Sequence, residues 1–193
     1  MLKRLFFLIL FLIFLPLMIP FYLIKGIIKS VQYSKWKKDG EMGKSLLLNS
    51  DITKVDIMQG YEFEEFLRAL FFYAGYSAEV TQKSKDFGAD LVLEKNNQKI
   101  VVQAKRYSKT VGCKSVQEIF SAKEHYLATD CAVVTNSFFS SQAEQLAKEL
   151  GVQLIDRDEL VQMHSQVVKT LTQIEDDFEE NMDFYNNPNK CAI

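Results

Sequence analysis

Asp90, Gln103 and Lys105 are the residues of this 193-residue chain whose types and spacing suit a chemical task. Ala89–Lys95 and Lys99–Arg106 read as two strands about a polar Asn96-Asn97 turn. If that hairpin closes through an even-numbered loop, cross-strand partners sum to 193 and Asp90 faces Gln103. Gln103 and Lys105 then share one face, about 7 Å apart along the strand, while Ile100, Val102 and Ala104 point the other way into a core. A carboxylate and a neutral oxygen suit Mg²⁺, which takes few protein ligands and keeps several waters. A metal beside a phosphodiester polarises the phosphoryl oxygen and lowers the pKa of a bound water. A lysine two residues on can position that water and stabilise the negative charge of the transition state. The same trio is also what an ordinary polar face of a half-exposed hairpin looks like, and spacing does not separate the two.

The hairpin needs elements to hold it. Phe63, Phe66, Leu67, Leu70, Phe71 and Ala74 repeat at helical spacing from Gly60, and Gly75 ends that helix. At 100° per residue, Glu62 and Glu64 fall at opposite margins of its apolar arc and Glu65 falls in solvent. A marginal carboxylate can reach a site at the helix–sheet junction, and periodicity does not choose between Glu62 and Glu64. All three acids also fit a solvated first helical turn.

Ser77–Gln82 is a short strand, Lys114–Leu127 an amphipathic helix, and Cys131–Thr135 a buried strand. Ser141 with Glu144 gives a capping-box pattern for a helix that Gly151 closes. Val152–Ile155 is another strand, and Asp158 can cap a last helix to about Thr172. The order αβββαβαβα describes an α/β domain with a mixed central sheet flanked by helices. Residues 39–56 show no clear period and read as a linker, with the domain over 57–172 and an acidic, frayed tail over 173–193.

The charge is unevenly spread. Residues 1–38 carry seven basic residues and no acids, whereas 174–193 carry one Lys against six acids. Leu5–Ile24 are 20 consecutive uncharged, mostly apolar residues, enough for one transmembrane helix. No small-residue cleavage site follows, so a retained anchor is expected rather than a signal peptide. Lys25, Lys29, Lys35, Lys37 and Lys38 behind the run favour a single-pass membrane protein with its C-terminal domain in the cytoplasm. Three scattered cysteines (Cys113, Cys131, Cys191) exclude a disulfide framework and a structural zinc site. Gly43-Lys44-Ser45 is no phosphate-binding loop, because Lys38 stands where the required glycine belongs and no strand precedes it. His125 and His164 lie on helices without metal-ligand spacing and are assigned to surface or packing.

Seven segments together resemble a known family: Gly60-Tyr-Glu-Phe-Glu64, Gly75-Tyr76, Asp86-Phe-Gly-Ala-Asp90, Val102-Gln-Ala-Lys-Arg106, Val116-Gln-Glu118, Val133-Val-Thr-Asn136 and Leu154-Ile-Asp-Arg-Asp-Glu-Leu160. In order and spacing, from about Ile57 to Met163, they are similar to the Mrr-type restriction endonuclease domain, a branch of the PD-(D/E)xK nucleases. The resemblance implies an αβββαβ core and a DNA endonuclease that hydrolyses phosphodiester bonds with Mg²⁺, Mn²⁺ being a substitute. It also implies a role in restricting foreign or modified DNA. By that match Glu64 is the helix carboxylate, Asp90 and Gln103 hold the metal with the backbone carbonyl of Ala104, and Lys105 is the catalytic lysine. Glu64 is a further candidate ligand.

Residues 81–114 hold eight basic residues against three acids, and Lys83, Lys85, Arg106, Lys109 and Lys114 are the candidate phosphate contacts. The expected partners are DNA, membrane lipid along residues 5–24, and a second copy of the chain if both strands are cut together. Two other readings use the same residues: a nucleic-acid-binding module that has lost activity, and a membrane-tethered scaffold that recruits proteins through its acidic tail.

Overall fold

The computed structural model describes residues 40–81 and 87–186, without the side chains of 177–186. The chain forms two compact units, Met1–Met42 and Gly43–Ile193. Of the first, only residues 40–42 are described, and they are helical. The run Leu5–Ile24 expected to span a membrane lies outside the described residues, among which no helix is long and apolar enough to cross one.

The second unit runs α1 (residues 43–48), α2 (Ile52–Ile57), α3 (Gly60–Tyr73), β1 (Ser77–Val80), β2 (Leu91–Lys95), β3 (Gln98–Lys105), α4 (Cys113–His125), β4 (Asp130–Thr135), α5 (Ser141–Leu150), β5 (Gln153–Ile155) and α6 (Arg157–Asn186). Its five strands stand in sequence order, β1 to β3 antiparallel and β3 to β5 parallel, which makes the sheet mixed as expected. The β2–β3 turn is the two-residue turn read from the sequence: Asn96 and Asn97 both take positive φ (51° and 64°), and Lys95 faces Gln98. Asparagine tolerates this left-handed backbone, whose twist matches that of the flanking strands.

Alternation along β3 sends side chains to two cores. Ile100, Val102 and Ala104 meet the side of the sheet covered by Phe63, Phe66, Leu67 and Leu70 of α3 and by Leu160 and Val167 of α6. Val101 meets the other side, where Val116, Ile119 and Ala122 of α4 pack with Ala143 and Ala147 of α5. The face that carries Gln103 and Lys105 is therefore covered by α4 along part of its length. Two burying faces explain why β4 reads as a continuous apolar run.

Four expectations need correction. Residues 39–56 are not a featureless linker: residues 40–48 and Ile52–Ile57 are helical, and Leu47 and Val55 are fully buried against α3. Each helix is short and buries only one large apolar side chain, the other buried positions of 40–48 being Gly40 and Gly43, so no apolar period can be read. Ser140, not Ser141, caps α5, its hydroxyl accepting the Ala143 N–H, and Asp156, not Asp158, caps α6. The last helix also runs past Thr172 to Asn186, since the acidic stretch contains no Gly or Pro and Glu is a good helix former. Lys44 pairs with Glu175 on this extension. His164 is a packing residue, as expected, with Nε2 3.0 Å from the Leu47 carbonyl and its ring against Phe66.

A polar cluster ties these helices to the strand ends. Arg157 donates to both oxygens of Asp56, at 2.7 and 2.8 Å, and Asn136 donates to Asp56 Oδ1 at 2.8 Å. Asn136 Oδ1 accepts the Tyr107 N–H, and Arg106 Nη1 donates to the Asp56 carbonyl. The Arg157 hydrogen bonds hold the Asp56 carboxyl below the usual carboxylate range despite partial burial. That stabilisation is complete above the unfolded-chain value of about 4 and is lost as pH falls through the lower folded value. Asp56→Asn should cost about 1–2 kcal/mol at pH 7, a figure reduced for its partial exposure. The urea midpoints of wild type and variant should draw together as pH falls below about 4; a gap that stays constant through that fall contradicts the ion pair's role.

Candidate active site

The hairpin register of 193 holds from Lys95↔Gln98 to Leu91↔Val102 and then stops. Asp90 does not continue it to face Gln103. Its N–H bonds the carbonyl of Val102 at 2.8 Å, the residue already opposite Leu91, so β2 begins with a bulge. The cause lies just upstream, where Phe87 and Gly88 both take positive φ (45° and 92°) and turn the chain against α4. A Cβ on Gly88 would stand 3.3 Å from Glu118 Cβ and 3.4 Å from the Glu118 carbonyl, so glycine permits this approach as well as this φ.

The bulge re-aims Asp90. Its Oδ2 accepts the backbone N–H of Ala104 at 2.7 Å, taking the place of a further rung of the β2–β3 ladder. A strand residue points its N–H and C=O to the same edge, so the Ala104 carbonyl also faces the Asp90 side. Asp90 is half-buried.

Gln103 and Lys105 share the α4 side of β3, as their spacing requires. Gln103 is only 3% exposed and its Nε2 donates to Glu118 Oε2 at 3.0 Å. Its other amide atom, Oε1, is buried and has no hydrogen-bond partner among the described residues. A buried orphan acceptor costs on the order of 1–3 kcal/mol, so its persistence points to something that occupies it in the working protein. Lys105 Nζ stands 3.6 Å from Glu118 Oε2, and Lys114 Nζ stands 3.6 Å from Glu118 Oε1. Burial pushes the Glu118 carboxyl up, but the Gln103 hydrogen bond and the charges of Lys105 and Lys114 outweigh it and leave the group below the usual carboxylate range.

Periodicity left Glu62 and Glu64 open. Glu62 is exposed and occupied in the capping box of α3, accepting the Gln59 N–H at 2.6 Å. Glu65 bonds Arg68. Glu64 is half-buried. The end of α3 is pinned at the hairpin tip, where Lys95 donates to the Ala74 carbonyl. Its beginning follows α2, whose Asp56 contacts Arg106 beyond β3. Glu64, one turn into α3, therefore lies toward the sheet end that holds Asp90 and Lys105, though on the helix covering the opposite face.

Among the candidate phosphate contacts, Lys83 and Lys85 fall outside the described residues. Lys109 and Lys114 are exposed, Lys114 strongly so. Arg106 is half-buried, with Nη1 donating to the Asp56 carbonyl and Nε buried without a partner among the described residues. Glu118 is the site residue that sequence reasoning assigned no role. It lies just outside the stripe of Val116, Ile119 and Ala122, the kind of marginal position that made Glu62 and Glu64 candidates on α3.

Asp90 carboxylate, Gln103 Oε1 and the Ala104 carbonyl are hard oxygen donors, the set that suits Mg²⁺ or Mn²⁺. Among the described residues no group of three or more His, Cys, Asp or Glu is placed to hold a metal, so an ion bound here would depend on Asp90 together with neutral oxygens and water.

Comparison with known proteins places this geometry in context. The restriction endonuclease family Mrr_cat matches residues 55–164, more than half of the chain. No curated protein matches. Two solved structures are similar in fold. One is the DNA modification-dependent restriction endonuclease AspBHI, with 19% identity and a TM-score of 0.48 over 72% of this chain and 40% of that one. The other is a protein of unknown function, AF1548, with 18% identity and a TM-score of 0.46 over 51% of this chain and 58% of that one. The chain thus spans less than two thirds of either.

Proposed function

We propose that this chain, which belongs to the Mrr_cat restriction endonuclease family, hydrolyses DNA phosphodiester bonds at Asp90, Gln103 and Lys105, with a divalent metal held by Asp90 and Gln103 beside the lysine. The observation that carries the reading is the buried Gln103 oxygen without a partner among the described residues, in the strand whose next amide is held by Asp90. Asp90, Gln103 Oε1 and the Ala104 carbonyl would hold Mg²⁺, with Mn²⁺ as a substitute and Glu64 as an additional oxygen donor. When bound, the ion polarises the phosphoryl oxygen and eases deprotonation of the attacking water.

The chain's own residues do the rest. Lys105 places its ammonium two residues along the strand from Gln103 and stabilises charge on the phosphoryl oxygens as water adds to phosphorus. Lys109 and Lys114 are exposed cations, Lys114 within 3.6 Å of Glu118, and bind neighbouring phosphates. Water attack breaks one P–O bond and leaves a phosphate monoester and a free hydroxyl. One site cuts one strand, so a double-strand break requires two copies or two successive nicks.

The purified full-length chain should nick supercoiled plasmid with Mg²⁺ or Mn²⁺ and be inert in EDTA. DNA retarded in a gel but left intact under every metal condition would favour the inactive binding module instead. The run Leu5–Ile24 and the basic flank behind it support tethering to a membrane, with the nuclease on the cytoplasmic side. Cell fractionation checks this: detergent, but not high salt, should release the protein from the membrane pellet, and recovery in the soluble fraction refutes it.

A further inference from the structure

Resting on the reading of Gln103 as a metal ligand, we infer that Glu118 is a positioning residue that fixes which end of the Gln103 amide faces the metal. An amide has two ends of similar shape and opposite polarity, and only the oxygen can ligate a cation. At a buried site, the neighbour decides which end is presented. A carboxylate only accepts, so Glu118 Oε2, 3.0 Å from Gln103, draws the N–H₂ end to itself and turns Oε1 away. Oε1 is thereby left as the buried oxygen lacking a partner among the described residues. The same carboxylate oxygen lies 3.6 Å from Lys105 Nζ and so orders the lysine from the same point. Gly88 lets the Asp90 turn close on Glu118, because a side chain there would meet Glu118 Cβ and carbonyl.

The arrangement also explains how a neutral glutamine serves where a metal ligand is usually anionic. Pairing one carboxylate with one amide puts the negative charge on α4 and the ligating oxygen on β3, and avoids two carboxylates in contact. The inference therefore makes a specific demand: the roles are exchangeable as a pair, not singly. In Glu118→Gln the new amide can donate to Gln103 Oε1, which lets the ligand flip and offer N–H₂ to the cation. In the swapped pair, Gln103→Glu with Glu118→Gln, the amide on α4 donates to one oxygen of the new carboxylate and leaves the other for the metal.

Mn²⁺ binding to the full-length protein, followed by electron paramagnetic resonance without DNA, tests this apart from cleavage. Wild type should bind Mn²⁺. Glu118→Gln should bind roughly 10- to 100-fold more weakly, the range found when the partner of a ligand is removed. Its melting temperature should stay near that of wild type, since an amide pair keeps a hydrogen bond. The swapped pair should recover to within about threefold of wild type by the same reasoning. Undiminished binding by Glu118→Gln overturns the inference while leaving the nuclease reading in place. Weak binding that the swapped pair does not recover also overturns it, because the swap restores both the charge and the carboxylate–amide pairing, and amide direction would then not be the cause. Failure of wild type itself to bind Mn²⁺ sinks the metal reading of the site and this inference with it.

Discussion

Asp90→Asn should lose metal affinity and DNA cleavage together, while the fold survives. The substitution is nearly isosteric, and the asparagine oxygen can still accept the Ala104 N–H that Asp90 Oδ2 accepts at 2.7 Å. The bulge at the start of β2 rests on the backbone bond from Asp90 to Val102 and on the Phe87-Gly88 turn, neither of which the change touches. What disappears is the one carboxylate among the three hairpin ligands, the others being an amide and a peptide carbonyl. Removing the partner of a ligand costs about 10- to 100-fold in affinity, and removing the anionic ligand itself should cost at least about 100-fold. Calorimetric titration with Mn²⁺ measures the first effect and plasmid nicking the second. A variant that binds Mn²⁺ normally would move the metal elsewhere.

Lys105→Ala is expected to separate what Asp90→Asn joins. Its side chain is 20% exposed, and its ammonium stands 3.6 Å from the Glu118 oxygen that also holds Gln103, without being a ligand itself. Metal binding should therefore persist, and DNA binding should weaken only by the loss of one phosphate-facing charge. Turnover should fall by at least about 10³-fold, or about 4 kcal/mol of transition-state stabilisation. Rate lost with binding retained is the pattern of a group that acts only in the transition state. Parallel loss of Mn²⁺ binding would instead mark Lys105 as part of the scaffold of the site.

The sequence carried the order of elements because long periodic segments report it directly. The apolar repeat of α3, the Asn96-Asn97 turn and the apolar run of β4 each impose one local structure, and the five strands follow in that order. Short elements left no such trace: α1 and α2 each bury one large side chain, and one residue has no period. Caps slipped because adjacent residues compete for them, as Ser140 with Ser141 and Asp156 with Asp158.

The site itself was legible as residue types and only partly as geometry. Parity along β3 correctly put Gln103 and Lys105 on one face. It gave Asp90 the wrong partner, because an alternation argument assumes a regular ladder and the bulge breaks it. The positive φ at Phe87 carries no sequence signal, since phenylalanine seldom adopts it. Glu118 was concealed by its helix: a charged residue beside Lys114 at i, i+4 reads as a surface pair until the strand it faces is known. The bond from Arg106 to the Asp56 carbonyl was concealed for the converse reason, because Asp56 lies 50 residues away in a segment taken for a linker.

The most direct measurement of the central claim is plasmid nicking by wild type and Lys105→Ala, purified in parallel and assayed with Mg²⁺ and with EDTA. Wild type should convert supercoiled plasmid to nicked or linear product only with Mg²⁺, and Lys105→Ala should leave it supercoiled while still binding Mn²⁺. Equal nicking by both proteins would place the activity outside this site and contradict the assignment of Asp90, Gln103 and Lys105.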